Sequence, residues 1–491
     1  MSLKLQVIFN FLSKFSLQLN IFILSIILVR YLDKSTYGTY LQFQLCVNTG
    51  IYMFTLGIPH SIYYFYSKAI NRQKYMLACM GVLVCLGVLI ALAINAGDFV
   101  GEWLNNSELN KYTLLIGIAI ICLLPYEMAE PFLISAKRGN YFSILNAAFG
   151  MLFFLVILGS LYLEAGLGEM FTAITALYVI QFFLLLVLIF RHSHNDNKAN
   201  VAEGPQGVSI RQVARYCLPI SLQVMIGKMS GMLDRYVISA SFTPSQFAVY
   251  SRGATHLPII DILPYSMSNV LFPSYTEYHN TGRIDMMFSL WRKAIVKVAL
   301  LVYPIFAFFC VFSPDFIIIL YTEQYSDSIP IFQVYLATLL IKLAISDTLM
   351  RVAGKTSYMP YIAGISLLTN LLLALVLLKL LGIIGPAIAT IFVVFLNAYL
   401  CMAITKKIYS VKWRDMIPWL DLGKILFVSM LAVLPLFLIK DRLLNFFEFC
   451  FAFGVYVSLF AILALLFKLT TIEEIKQQYL LPMLNKYNRK R

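Results

Sequence analysis

Charge is what this sequence has least of. Asp, Glu, Lys and Arg make up 13% of its 491 residues, against about 25% in a soluble globular domain. With 60% of the residues hydrophobic, the composition excludes a soluble enzyme, a nucleic-acid-binding module and a disordered scaffold. It leaves a polytopic membrane protein built from helices of about 20 apolar residues. Reactive cysteine is scarce as well: the eight cysteines (Cys46, Cys79, Cys85, Cys122, Cys217, Cys310, Cys401 and Cys450) sit in apolar runs with no pair at metal-ligand spacing, as small buried hydrophobes do. The five histidines (His60, His192, His194, His256, His279) make no H-E-x-x-H pattern, and neither G-x-x-x-x-G-K-[ST] nor G-x-S-x-G occurs. An ATP-driven pump working on this chain alone is thereby excluded, and no catalytic residue, metal site or bound cofactor is assigned. The N-terminal run MSLKLQVIFNFLSKFSLQLNIFILSIILVRYL continues past signal-peptide length without a small-residue cleavage site, so it is expected to be the first membrane helix.

What the chain does have is apolar runs of spanning length. They lie near 7–29, 41–63, 76–97, 113–134, 142–163, 171–190, 216–238, 247–271, 294–313, 330–350, 359–379, 384–405, 425–439 and 446–467, which predicts an all-α membrane protein of about 14 transmembrane helices. Lys and Arg crowd alternate connections: Lys68, Arg72 and Lys74; Lys137 and Arg138; Arg191 to Arg215; Arg283 to Lys297; Arg351 and Lys355; Lys406 to Lys424; and the tail from Lys468. The other connections hold only Arg30, Lys34, Lys111, Lys379, Lys440 and Arg442. This asymmetry predicts a multi-pass protein with both termini cytoplasmic. The polar stretch RHSHNDNKANVAEGPQGVSIRQVAR divides the chain, giving an expected order of a six-helix lobe (1–195), a cytoplasmic linker (196–215), a second six-helix lobe (216–408), two further helices with an interfacial segment (409–470), and a basic cytoplasmic tail (471–491).

The two lobes carry a repeat. Shifting the first by 205 places SLQLNIFILSIILVRYL (16–32) over SLQVMIGKMSGMLDRYV (221–237), with Ser-Leu-Gln and Arg-Tyr in register; with five extra residues in the second copy, STYGTY (35–40) falls on SQFAVY (245–250). At a shift of 217, Ala136, Arg138 and Tyr141 meet Ala353, Lys355 and Tyr358, and Glu130 meets Asp347. An offset of six spans preserves orientation, so the repeat is parallel, about an axis along the membrane normal. Transporters use such repeats with the substrate site at the repeat interface.

Ionisable residues within spans cost roughly 2.5 to 3.5 kcal/mol on insertion scales and generally face a wet cavity or a partner. Lys14 and Lys228 lie in the first span of each lobe and suit an anionic headgroup such as a pyrophosphate; Arg252, Arg235 and Arg30 are further cavity cations. Each has a plainer role open to it: Lys14 could snorkel to the interface, Arg252 could lie among headgroups, and Asp234 with Arg235 could be structural. Glu130 and Asp347, joined by Asp234, Asp261 and Glu127, are the ion-coupling candidates, with capping of nearby Lys137, Arg138, Arg351 and Lys355 as the alternative for the first two.

Several segments together resemble a known family. LVRYLDKSTYGTY (28–40), TLGIPHSIYYFYSK (55–68), MLDRYVISASFTPSQFAVYSRGA (232–254), LFPSYTE (271–277), AGKTSY (353–358) and LLGIIGPAIAT (380–390) are similar to the polysaccharide-biosynthesis, O-antigen (Wzx-type) flippases. The resemblance covers nearly the whole chain. It implies the multidrug/oligosaccharidyl-lipid/polysaccharide (MOP, MATE-like) exporter fold, with two six-helix lobes and two extra C-terminal helices. It also implies movement of a polyprenyl (undecaprenyl)-pyrophosphate-linked oligosaccharide across the bacterial cytoplasmic membrane, driven by an H+ or Na+ gradient, beside membrane lipids and the polysaccharide polymerase and chain-length machinery. Two positions depart from the family pattern: Asp33 and Ala248 stand where glycine is usual. The competing expectations are a cation-coupled multidrug exporter of the same fold, which would want an acid-rich cavity, and a membrane glycan polymerase or ligase, which would want a long extracytoplasmic loop with catalytic groups.

Overall fold

The computed structural model describes residues 3–67, 69, 71–196, 217, 221–222, 224–255, 258–437 and 445–469, with side chains at these positions except 3–12, 14, 193–196 and 258–262. Most of the linker and the basic tail therefore lie outside the described residues. Among those described, the regular structure is helical. In order the helices are α1 (Leu3–Tyr31), α2 (Lys34–Phe54), α3 (Ile58–Phe65), α4 (Arg72–Asn95), α5 (Phe99–Trp103), α6 (Thr113–Tyr126), α7 (Ala129–Ser135), α8 (Gly139–Tyr162) and α9 (Leu167–Asp196). After the linker come α10 (Leu233–Ser241), α11 (Pro244–Gly253), α12 (Pro258–Asn280), α13 (Ile284–Tyr321), α14 (Ser328–Leu336), α15 (Thr348–Val352), α16 (Met359–Leu381), α17 (Gly385–Tyr409), α18 (Trp413–Met416), α19 (Trp419–Val433) and α20 (Phe446–Leu466).

Eight described helical stretches are long and apolar enough to cross a bilayer; one of them, Thr356–Tyr409, contains both α16 and α17. Several runs that the sequence presents as single spans are interrupted. The run near 41–63 breaks at Thr55–Gly57, where Leu56 (φ 45°) and Gly57 (φ 62°) are left-handed. The run near 113–134 breaks at Glu127 and Met128, just beyond Pro125. The run near 216–238 turns at Gly231 and Met232, and that near 330–350 unwinds between Ile341 and Asp347. Broken spans survive in lipid only where the freed backbone groups find partners in protein or water.

The repeat reappears as hydrogen bonds. At the end of α7, Ala136, Lys137 and Arg138 donate to the carbonyls of Phe132, Ile134 and Leu133 at 2.9, 2.9 and 2.7 Å. At the end of α15, Ala353, Gly354 and Lys355 donate to Leu349, Arg351 and Met350 at 3.1, 3.0 and 3.0 Å, the same pattern displaced by the shift read from the sequence. Both turns close on a left-handed residue, Lys137 (φ 58°) and Gly354 (φ 68°), as helix C-termini commonly do. The α1–α2 and α10–α11 corners match too. Leu32 N–H donates to Leu28 O and Tyr37 N–H to Asp33 O, mirrored by Phe242 to Ile238 and Phe247 to Thr243, all at 2.9 Å.

Asp33 has a local explanation. Its Oδ2 accepts from Ser35 N at 2.9 Å and Thr36 N at 3.0 Å, capping α2. Partial burial would raise its pKa, but hydrogen bonds from Thr36 and Ser35 hold the carboxyl below the ordinary carboxylate value. In the second copy the cap is neutral: Thr243 and Gln246 bond reciprocally, side chain to backbone, at 3.1 and 3.4 Å.

By contacts the chain forms two compact units, residues 1–251 with 363–386 and residues 252–362 with 387–491. In the first, α4 packs on α6, α1 on α8, and α6 on α9. The second is organised around α13, which kinks at Phe312 beside Pro314 and packs on α19 and α20. There the ring of Phe308 lies 4.7 Å from Phe312 and 5.4 Å from both Phe449 and Tyr456, and Tyr456 donates to the Ser429 carbonyl at 3.2 Å.

One close approach in the first unit is absolute in its demand. A Cβ at Gly38 would overlap the Pro244 carbonyl, so α2 and the start of α11 meet with no side chain between them. Gly38→Ala should therefore lower the thermal midpoint of detergent-solubilised protein by several degrees, an overpacking cost of about 1 to 3 kcal/mol. Gly159→Ala, where a Cβ meets open space, should not; equal melting of both variants would refute the contact.

Candidate functional site

The site grows out of the broken helices of the first unit. Lys228 follows Gly227 in a short helical stretch over 224–230 that ends in the turn at Gly231 and Met232, where Gly231 N–H donates to Gly227 O at 3.1 Å. Its ammonium lies 4.8 Å from the centroid of the Tyr52 ring, within cation–π range. Tyr52 is in the last turn of α2, just before the left-handed turn into α3. Gly57 is required in that turn twice over: by its positive φ, and because a Cβ there would stand 2.6 Å from Ser221 Oγ.

The facing wall is the α6–α7 break. Glu127 keeps accessible surface though protein atoms enclose it, and its electrostatic neighbours are Lys228, which favours its charge, and Glu130, which opposes it. Glu130 in turn neighbours Tyr63 of α3. Arg235 on α10 neighbours both Tyr52 and Tyr236. Lys228 is also accessible, so Lys228 and two carboxylates, with Arg235 nearby, meet among tyrosines at the ends of discontinuous helices. This is where transporters place anionic groups and coupling ions.

Beside this cluster a buried polar network ties α2 to α10. The Gln42 side chain, fully buried, donates through Nε2 to Leu104 O at 2.8 Å and Ser239 Oγ at 2.9 Å, and accepts from Asn106 Nδ2 at 2.6 Å. Asn106 also donates to Thr39 Oγ1 at 2.9 Å. A little further along α2, the hydroxyls of Thr49 and Tyr236 lie 2.6 Å apart, and the Tyr236 ring stacks on Trp103 with centroids 6.3 Å apart.

The other residues singled out from the sequence fall elsewhere. Asp234 is buried and accepts from the Tyr250 hydroxyl at 2.8 Å, joining α10 to α11. Arg30 is exposed in the last turn of α1. Arg252 belongs to the second unit, its guanidinium 5.5 Å from the Tyr321 ring centroid. Asp347 and Arg351 form an i,i+4 ion pair at 3.1 Å on α15 and the residue before it. Lys14 lies on α1 and Asp261 on α12, but both side chains are outside the described residues. The structure thus joins Lys228, Glu127, Glu130 and Arg235, and adds Tyr52, Tyr63, Tyr236 and the Gln42 network. The sequence signalled these additions only faintly, through Gly57, Pro125 and amide side chains in apolar surroundings. Among the described residues no group of three or more His, Cys, Asp or Glu could hold a metal ion.

A family model described as "Polysaccharide biosynthesis protein" matches residues 27–330. An uncharacterized membrane protein of Methanocaldococcus jannaschii is 24% identical over 274 residues, covering 54% of this chain and 53% of the relative, so the chain spans about half the length of the curated relative it matches. Among solved structures, the lipid II flippase MurJ in an inward closed conformation superposes with a TM-score of 0.74 at 14% identity, over 94% of this chain and 98% of that one. An inward-facing multidrug resistance MATE family transporter of the MOP superfamily gives 0.59 at 13% identity, over 79% and 93%. These likenesses show the fold, which is of the MOP type.

The Gln42 network generates a stability prediction. Gln42→Leu leaves Asn106 Nδ2, Ser239 Oγ and the Leu104 carbonyl without the amide, at about 1 to 3 kcal/mol for each buried group so stranded. A clear fall in the thermal midpoint is expected. An unchanged melt for Gln42→Leu would mean that the network contributes nothing.

Proposed function

This chain belongs to the polysaccharide biosynthesis protein family, and from that premise we propose that it is a flippase for a polyprenyl-pyrophosphate-linked oligosaccharide. The repeat unit moves from the inner to the outer leaflet of a bacterial cytoplasmic membrane, by alternating access coupled to an H+ or Na+ gradient, and feeds O-antigen, capsule or exopolysaccharide assembly. The observation that carries this reading is Lys228: an accessible cation in an apolar run of spanning length, steadied on Tyr52 and set beside broken helices. A lysine so placed offers three donors and a point charge to phosphate. Lys14 and Arg235 are assigned to the same headgroup. The glycan occupies the wet space beside it, where the exposed Tyr63 hydroxyl is available. The fold shared with a lipid II flippase adds weight.

Glu127 and Glu130 are the coupling groups in this reading. Each shares its field with Lys228 or with the other carboxylate, so an anionic headgroup arriving at Lys228 removes the attraction that favours the Glu127 carboxylate and promotes uptake of a cation there. The two acids also favour a second reading, a cation-coupled exporter of small molecules like the multidrug transporters of the same fold. In that case Lys228 would only balance charge.

Depletion of the protein in its host, followed by mass spectrometry of the lipid extract, separates the two. Accumulation of a polyprenyl-pyrophosphate repeat unit with loss of surface polymer is expected; an unchanged lipid pool with new sensitivity to cationic compounds would select the exporter. Lys228→Ala should cut export about tenfold or more, the size of one lost charge-assisted hydrogen bond, while leaving membrane insertion intact. Glu127→Gln and Glu130→Gln should flatten the dependence of export on the ion gradient, and an unaltered dependence in both would clear them of coupling.

A further inference from the structure

Along α2 from Tyr52, the first unit holds a cavity of about 150 Å³, open on one side. Its walls include Leu45 and Phe54 of α2, Ile94 of α4, Trp103 of α5, Ile116 of α6, and Tyr236 of α10. They are almost wholly carbon. The Thr49 hydroxyl, which also borders the space, is already committed to the Leu45 carbonyl and the Tyr236 hydroxyl, each at 2.6 Å. Ordered water needs two to four polar partners and finds few here, whereas an engineered apolar cavity of about this volume takes up benzene. The cavity therefore suits a hydrocarbon group of about five or six carbons.

Its position says which hydrocarbon. Tyr52, which carries the Lys228 ammonium, is three residues beyond Thr49 on the same helix, a rise of about 4.5 Å. Tyr236 belongs to both places, as a wall of the cavity and as an electrostatic neighbour of Tyr52. A phosphoryl group held at Lys228 can thus direct its first attached carbons towards Tyr236 at the cavity wall. In a phospholipid those atoms are glycerol and ester oxygens, which would be stranded against carbon. In a prenyl pyrophosphate the hydrocarbon begins at the phosphate oxygen, and its unit is a branched five-carbon group. The rest of the chain has an exit, since Phe99 and Trp103 at the border are about half exposed and Ile94 lies on α4, whose neighbouring Leu89 and Leu92 are exposed.

Resting on the headgroup reading above, we infer that this cavity is the binding site for the phosphate-proximal isoprene unit of the carrier lipid, and that it selects prenyl pyrophosphates over phospholipids. Tyr236, fixed by its hydrogen bond with Thr49 and buried, forms the inner wall against which that unit sits.

The test uses the full chain in nanodiscs of phosphatidylethanolamine and phosphatidylglycerol, with two photoprobes: geranyl diphosphate bearing a diazirine on the prenyl chain, and a phospholipid bearing one on an acyl chain. Labelled peptides are located by mass spectrometry. The geranyl probe is expected to label 45–54 or 90–104, in competition with unlabelled geranyl diphosphate. Ile94→Trp at the half-exposed border, and independently Cys46→Met within the wall, should each reduce that labelling by about tenfold, equivalent to losing roughly two buried methylenes. Labelling by the geranyl probe that is competed by inorganic pyrophosphate but falls outside these segments, or that both filling variants leave intact, overturns the cavity assignment while the headgroup reading stands. Labelling of these segments by the phospholipid probe alone overturns the choice of ligand. Geranyl labelling indifferent to pyrophosphate and to Lys228→Ala overturns the headgroup reading, and this inference with it.

Discussion

In hydrocarbon every backbone N–H and C=O must find a partner or cost several kcal/mol, and that requirement governs where these helices are allowed to stop. The interruptions at Thr55–Gly57, Glu127–Met128 and Gly231–Met232 are gathered in one compact unit, where protein groups can serve the freed positions. Gathering the breaks also gathers what comes with them. Helix ends, a lysine, two carboxylates and tyrosines are brought to one place because irregular backbone in a span is tolerated only where protein or water can serve it. Chemistry and fold share a cause here, and the site could not be moved to an unbroken stretch such as α8 or α9 without losing the dipoles and accessible polar surface that make it a site.

A second level of organisation holds the two copies of the repeat together within that unit. Gln42 reaches from α2 to a loop carbonyl and to Ser239 of α10, while Gly38 lies directly under the Pro244 carbonyl. A fully satisfied buried amide is demanding in geometry, since each of its donors and acceptors accepts only a narrow range of partner positions. The Thr49–Tyr236 pair and the Trp103 stack extend the connection towards Lys228. A displacement of α10 is thereby felt at the cation, at the network and at the cavity wall together, because one helix supplies Arg235, Tyr236 and Ser239.

Much of this was legible in the sequence, and the rest was not for physical reasons. Apolar runs gave the helical membrane character, and the shift of 217 returns as matching hydrogen bonds at 132–138 and 349–355. Helix breaks were harder: Pro125 and Gly57 sit in runs whose hydropathy continues across them, so composition alone draws one span where there are two helices. Lys228 and Glu127 stood out because charge in a span is expensive. Tyr52 did not, since aromatic residues make up 15% of the chain and nothing local distinguishes one that holds a cation. Asp33 is a case where residue type conflicted with the family pattern and the backbone resolved it: the corner uses a carboxylate to cap α2 instead of a glycine's freedom to turn.

That corner makes the duplicated halves chemically unequal. The first copy starts its second helix on an ionised group whose pKa the fold has lowered; the second starts the matching helix on the neutral pair Thr243 and Gln246. A carboxylate stabilised in this way lends its support above the ordinary carboxylate pKa of about 3.9 and withdraws it as pH falls through the lowered value, whereas a hydroxyl and an amide do not titrate. Acid would therefore loosen one helix start and spare its twin, so two elements of common origin have come to differ in acid tolerance.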